Sequence, residues 1–306
     1  MRRWLVIVAA LGSLVACGDD DDWKDRRVPS ATPPLSIGAA QQRPAAVVLP
    51  EDYDITKQYP LVILLHGFGV SGSIQDFLLQ LSARTTSHQF ILVLPDGTRN
   101  SADQRFWDAT PECCNFTGAP VDDVGYLAAL IEEASEIYAV DRSRVRLTGH
   151  SNGGYMSYRY ICEHPIRVDR IAVLAGSTFI DAADCDDPEP VDILHMHGTN
   201  DQTILYDRNL PPDADSGAVQ TIGAEAAVQR WAEVAGCDGE LELIDRRDHH
   251  QRINIDGDPA ETEVLRATGC DGDRTVELWR GVGADHTYLS INDRFRDQLA
   301  EFLSAP

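Results

Sequence analysis

Short, almost wholly apolar runs recur along this chain and limit what it can fold into. Pro60-Leu61-Val62-Ile63-Leu64-Leu65, Ile91-Leu92-Val93-Leu94, Ile171-Ala172-Val173-Leu174 and Val191-Asp192-Ile193-Leu194-His195-Met196 are of strand length, and apolar and polar residues do not alternate in them. A strand with one wet face would alternate, so these are expected to be covered on both faces. Segments with helical spacing lie between them, over Ser73 to Ser87, Asp123 to Tyr138, Gly153 to Glu163 and Thr221 to Ala235. Repeated strand–helix alternation predicts an α/β fold, a mostly parallel sheet with helices on both faces, with ligands gathered at the carboxyl ends of the strands.

The residues with chemistry fall at those ends. Arg144 to Gly149 is a short apolar alternation that runs into Gly149-His150-Ser151-Asn152-Gly153 and then into a helical pattern. Gly-x-Ser-x-Gly between strand and helix predicts a sharp turn that lifts the Ser151 hydroxyl above the sheet edge, with small flanking residues letting strand and helix approach. His66-Gly67-Phe68-Gly69, Asp96-Gly97 and His197-Gly198-Thr199-Asn200-Asp201 follow other strands, and His286 follows Thr275 to Trp279. One face thereby receives a hydroxyl, a carboxylate and an imidazole in the order Ser, Asp, His. A serine hydroxyl becomes a nucleophile when an imidazole takes its proton, and a carboxylate holds that imidazole in the right tautomer. Ser151 is the expected nucleophile, His286 the base and Asp201 the acid. Asp201 is preferred to Asp192, which lies inside an apolar run, and to Asp207, which lies further along the loop. His66, His150, His195 and His197 are read as structural, and His249-His250, in a polar stretch, as solvated.

The amino-terminal residues read separately. Met1-Arg2-Arg3 is a charged start and Trp4 to Val15 an apolar stretch too short to span a bilayer, the pattern of an export signal. It ends in Leu14-Val15-Ala16-Cys17, which resembles the lipobox of bacterial lipoproteins and implies lipid attachment at Cys17 and anchorage to a lipid bilayer. The expected organisation is a signal over 1–16, an acidic, proline-containing tether over 17–43 that includes Asp19 to Asp22, and a single catalytic domain over 44–306. A formal charge of −23 over 306 residues repels phosphate backbones and argues against nucleic acid as a partner. Without a Cys-x-x-Cys pair and with scattered histidines, neither a metal nor a cofactor is expected.

Leu65-His66-Gly67, Leu94-Pro95-Asp96-Gly97, Val121-Asp122-Asp123-Val124-Gly125, Gly149 to Met156, His197 to Asp201 and His286 together resemble the polyhydroxybutyrate depolymerase and feruloyl esterase group of α/β-hydrolases, from about Arg43 onward. The resemblance implies a serine esterase acting on hydroxyalkanoate, feruloyl or related esters. It also implies an oxyanion hole made by the backbone N–H groups of Phe68 and Asn152. Phe68 stands where many relatives carry cysteine, and Thr287-Tyr288 where Trp-Pro is frequent. With no threonine-rich linker after the domain, the expected substrate is a small ester or soluble oligomer and the expected state a monomer. A serine peptidase of the same fold and a non-catalytic envelope lipoprotein are the alternatives.

The long loop from Asp96 to Pro120 overlies the same face, and its Trp107 is expected either to wall the acyl or aryl group or to cover the sheet end. Six cysteines beyond Cys17 allow fifteen pairings. Position, and the places where relatives carry cysteines, favour Cys162 with Cys185; position favours Cys237 with Cys270. Adjacent Cys113 and Cys114 are left as a vicinal bridge or as two thiols, the bridge being preferred in an exported chain.

Overall fold

The computed structural model describes residues 32–163, 166–186, 188–211, 218–251, 260–288 and 290–306. Residues 1–16, Cys17 and the aspartate run lie outside the described residues. Twelve strands are formed among those described: β1 (Ser36–Ile37), β2 (Ala45–Val48), β3 (Tyr59–Leu65), β4 (Ile91–Leu94), β5 (Thr98–Arg99), β6 (Arg105–Phe106), β7 (Val140–His150), β8 (Arg170–Leu174), β9 (Asp192–Gly198), β10 (Leu241–Arg247), β11 (Thr262–Ala267) and β12 (Val276–Gly281). The α-helices are α1 (Gly72–Leu79), α2 (Thr85–His88), α3 (Asp123–Ile137), α4 (Asn152–Glu163), α5 (Ala224–Val234) and α6 (Asp293–Ser304).

Ten strands make one sheet in the order β1-β2-β4-β3-β7-β8-β9-β12-β11-β10, and β5 and β6 form a separate hairpin. The six central strands, β4 to β12, run parallel, while β1, β2, β11 and β10 extend the two flanks antiparallel. The expected α/β class is therefore the one observed. Both faces of β3 are covered because alternate side chains enter different cores. Leu61, Ile63 and Leu65 pack with Leu127, Leu130 and Tyr158, and Val62 and Leu64 with Leu79, Phe295 and Leu299. That double burial is what the unbroken apolar run encodes.

Three expectations about the chain's course need correction. The helix expected over Ser73 to Ser87 is broken: Gln80 takes a left-handed conformation with its N–H on the Asp76 carbonyl, and α2 begins only at Thr85. The folded part begins inside the stretch expected as tether, since β1 pairs with β2 and Ile37 is buried. Arg43, at the expected boundary, lies 3.8 Å over the Tyr126 ring and 2.7 Å from Asp123 Oδ1. Finally, His249 and His250 are not solvated. His249 lies obliquely against Trp279 and edge-on to Phe295 with a 2.7 Å bond to Gln298, and His250 contacts Ser290 and Tyr288. Burial lowers both imidazoles to a pKa of about 4.

The cysteines pair as Cys113–Cys114, Cys162–Cys185 and Cys237–Cys270. The second ties the end of α4 to the loop after β8, and the third ties the end of α5 to the segment before β12.

Candidate active site

At the end of β7 the chain turns into α4 through Ser151, whose φ of 54° is left-handed. An L-residue adopts that conformation at a cost. The turn is held by Ser151 N–H to Leu174 O at 2.8 Å and by the Gly154 and Tyr155 N–H groups on Ser151 O. The bracketing glycines are required by contact. A Cβ on Gly149 would strike the Gly153 carbonyl, and one on Gly153 would strike the Leu65 and His66 carbonyls of the neighbouring strand. Sequence spacing thus becomes close strand–helix packing with the hydroxyl at the carboxyl edge of the sheet.

β12 and β9, paired in parallel, bring up the other two side chains. The turn after β9 is stitched to the loop after β12 by Thr199 N–H to Gly281 O and Asn200 N–H to Ala284 O, both 2.9 Å, and by Gly283 N–H to Thr199 Oγ1 at 2.8 Å. Across this seam His286 Nδ1 lies 2.7 Å from Asp201 Oδ2, and His286 Nε2 lies 3.0 Å from Ser151 Oγ. Facing a carboxylate, Nδ1 carries the hydrogen, which leaves Nε2 as acceptor for the serine hydroxyl. His150 donates from Nε2 to the His286 carbonyl at 2.7 Å and fixes the backbone of that loop. Burial lowers the His150 pKa to about 4, so it stays neutral beside His286.

Asp201 is buried and fully engaged. Its Oδ1 accepts from the Thr203 and Ile204 N–H groups at 2.8 and 2.9 Å, and its Oδ2 receives both His286 and, at 3.3 Å, His197 Nε2. Burial alone would raise its pKa, but the hydrogen bonds from His197 and His286 outweigh it and hold the carboxyl well below the usual carboxylate range. The other two carboxylates considered stand elsewhere. Asp192 accepts from Thr275 N–H and pairs with Arg170, and Asp207 is exposed.

Asn152 directly follows Ser151 and Phe68 follows Gly67, which lies against Ser151, and among the described residues neither the Phe68 nor the Asn152 N–H is spent on another acceptor. The loop that carries Phe68 is held from three sides. His66 donates from Nδ1 to Gly67 O at 2.7 Å and accepts the Gly97 N–H at Nε2, the Gly67 N–H reaches Gln75 Oε1, and the Gly69 N–H reaches Arg105 O. No sequence motif singled out Gln75, a buried helical glutamine that reads as surface.

Trp107 does not wall a substrate site. Its ring has no exposed surface, its indole N–H donates to His66 O at 3.0 Å, and both its backbone polar groups are clamped by the Asn152 amide at 2.7 and 2.9 Å. Of the two expected roles, covering the sheet end is the one it has. Further along the same loop Phe116, 69% exposed, is set edge-on to Phe68 with ring centroids 5.6 Å apart. Its position beyond the paired cysteines was visible in sequence, but not its contact with Phe68. Among the described residues, no group of three or more His, Cys, Asp or Glu side chains converges as a metal site.

The family named Esterase, described as "Putative esterase", matches residues 39–253, ending before the loop that carries His286. Feruloyl esterase B of Piromyces equi is 28% identical over 204 residues, covering 65% of this chain and 36% of the relative. Feruloyl esterase C of Emericella nidulans is 30% identical over 185 residues, covering 57% and 62%. The chain thus spans less than two thirds of the length of these curated relatives. Among solved structures, an acetyl xylan esterase from Aspergillus awamori superposes with a TM-score of 0.59 at 14% identity, over 86% of this chain and 94% of the other, which is a likeness of fold.

Proposed function

Because this chain belongs to the Esterase family, we propose that it is a serine carboxylic-ester hydrolase that works through an acyl-enzyme. The observation that carries this reading is the continuous line from Ser151 Oγ through His286 to Asp201 at 3.0 and 2.7 Å. Ser151 Oγ attacks the ester carbonyl while its proton passes to His286 Nε2, and Asp201 stabilises the resulting imidazolium. The tetrahedral oxyanion is received by the N–H groups of Phe68 and Asn152, each contributing on the order of a hundredfold in rate. Collapse expels the alcohol, which takes the proton from His286. Water then repeats the sequence on the acyl-serine and releases the acid.

We assign the substrate to feruloyl, hydroxyalkanoate or related polymer-derived esters, as small molecules or soluble oligomers. Support comes from the curated feruloyl esterases it is similar to and from the exposed Phe116 beside Phe68. Export is part of the proposal, supported by the Met1 to Cys17 pattern and by three disulfides, which persist in oxidising compartments. Cys17 is proposed as the lipid anchor and the domain as a monomer, with no nucleic-acid partner. The test is a panel of p-nitrophenyl acyl esters, methyl ferulate, acetylated xylan, hydroxybutyrate oligomers and peptide amides. The reading expects kcat/KM for at least one ester to exceed every amide by orders of magnitude; amide cleavage at comparable kcat/KM would favour a peptidase, and inactivity on all of them a binding role.

A further inference from the structure

Three buried side chains behind Asp201 form a line that the triad itself does not use. Tyr158 on α4 and His195 and His197 on β9 are each 0 or 1% exposed. Tyr158 Oη lies 2.9 Å from His195 Nδ1, His195 Nε2 lies 3.2 Å from His197 Nδ1, and His197 Nε2 lies 2.8 Å from Ile204 O and 3.3 Å from Asp201 Oδ2. With both imidazoles neutral, chemistry fixes the direction of every bond. A neutral imidazole has one donor and one acceptor nitrogen. His197 Nε2 faces a carbonyl and a carboxylate, which only accept, so it carries the hydrogen and Nδ1 accepts. His195 must then donate from Nε2 and accept at Nδ1, and the only donor left for that nitrogen is the Tyr158 hydroxyl. Burial agrees with this assignment, since it keeps the Tyr158 proton on and the His195 ring neutral.

We propose that Tyr158, His195 and His197 form a one-way line of hydrogen bonds that keeps the His197 Nε2–H turned toward Asp201, so that His197 is a positioning residue for the carboxylate of the triad. The inference rests on the serine esterase reading for its kinetic consequence but not for its geometry. In the opposite tautomer His197 would turn a lone pair toward Asp201 Oδ2, the oxygen that must hold His286. Packing keeps the line in place: the two imidazoles stack at an interplanar angle of 8°, Tyr206 meets His197 edge-on, and Trp231 stacks on Tyr158. The other titratable groups acting on Asp201 or His197 are His150 from β7, Tyr155 from α4, Tyr206 and, beyond His286, Tyr288. The tyrosines are kept uncharged by burial, and so is His150. Nearby carboxylates, Asp285 beside Tyr288, Glu112 beside Tyr155 and Glu225 on the Tyr206 hydroxyl, act on those tyrosines.

The proposal is tested on the intact folded protein by ¹⁵N–¹H imidazole spectra, assigned by the signals lost in His195→Gln and His197→Gln. In the neutral rings, His195 and His197 are each expected to carry the hydrogen on Nε2 and none on Nδ1. A neutral His197 with its hydrogen on Nδ1 would overturn it, whether or not any ester is hydrolysed. Kinetics supply the second arm. His197→Phe removes the donor and keeps a ring; with more negative charge left on Asp201 Oδ2, the protonated base is favoured and the rising limb of the kcat/KM–pH profile moves to higher pH. A fall in kcat of about tenfold, the scale of one hydrogen bond to a charged group, is expected with KM little changed. His197→Gln, whose amide N–H reaches the same place, should restore most of it. Two folded variants with the wild-type profile would refute the positioning role, while an inactive wild-type protein with the expected tautomers would refute only the esterase reading.

Discussion

At the scale of single residues, the site is a set of side chains whose hydrogen-bond partners fix how each is turned. Ser151 sits at a left-handed turn with its hydroxyl 3.0 Å from His286 Nε2, and although it is buried its side chain is small and lies in neither apolar core. Ser151→Ala is therefore expected to leave the melting temperature within a few degrees of wild type while lowering kcat by on the order of 10⁴-fold or more. Asp201→Asn keeps the shape but replaces one carboxylate oxygen by a donor, against four N–H groups that now include an unmatched one. A loss of about 10³- to 10⁴-fold is expected, and Asp207→Asn, at an exposed position, should be near wild type; the reverse ranking in kcat/KM would remove Asp201 from the triad. The glycine-bracketed serine and the order Ser, Asp, His were legible because each follows from a strand ending and a turn. The choice between the two roles of Trp107 could not be made, because a loop tryptophan between Phe106 and Asp108 gives no sign that Asn152 and His66 bind its backbone and indole. His197 read as a packing residue because its contact with Asp201, four positions on, depends on how the turn after β9 folds back.

At the scale of elements, β3, β4, β8 and β9 could be read directly, because strands covered on both faces are mostly apolar. The flanks could not. β10 is largely exposed, with Leu243 and Ile244 49% and 46% exposed, and β1 is two residues long. Neither leaves an apolar run or an alternation long enough to recognise. The break after α1 was hidden for a related reason: apolar spacing continues past Gln80, and the left-handed residue that ends the helix is a glutamine where glycine would be the usual signal. Arg43 shows how an apparent linker residue becomes structural. Asp123 has no exposed side-chain surface, and burial raises its pKa against the lowering effect of Arg43. Removing the arginine leaves a buried charge without its partner and leaves Asp96 O and the Tyr126 ring uncovered. Arg43→Ala is expected to destabilise the fold by about 3 kcal/mol, read as a lower urea midpoint at unchanged m-value; a change under about 0.5 kcal/mol would mean that water replaces the ion pair at no cost.

At the scale of the whole molecule, buried neutral histidines set the response to acid. His66, His150, His249 and His250 are all lowered by burial to about 4, and His195 lies well below its ordinary value. A group that binds its proton more weakly when folded gives stability that falls as pH drops from the unfolded value, about 6.5, toward 4. Several act together, so the melting temperature should fall steadily between about pH 6.5 and 4, more steeply than one ionisation allows, whereas Asp201 withdraws its own contribution only below about pH 4. A melting temperature flat from pH 7 to 4.5 would show that these rings take protons in the folded state. The Cys162–Cys185 bridge closes a loop of 23 residues, and replacing both cysteines by serine is expected to cost about 3 kcal/mol of stability in chemical denaturation. Pairing of those cysteines could be anticipated from the connections they occupy, but the burial of His249 and His250 could not, because it is imposed by α6 and β12 arriving from later in the chain.

The central claim is that Ser151 carries the acyl group. Acid-quenching the reaction with a p-nitrophenyl ester within the first turnover, followed by peptide mass mapping, tests it directly. The account predicts one added acyl mass on the peptide containing Ser151, absent from Ser151→Ala, which should also fail to hydrolyse the ester. An acyl group on any other residue, or wild-type turnover by Ser151→Ala, would contradict it.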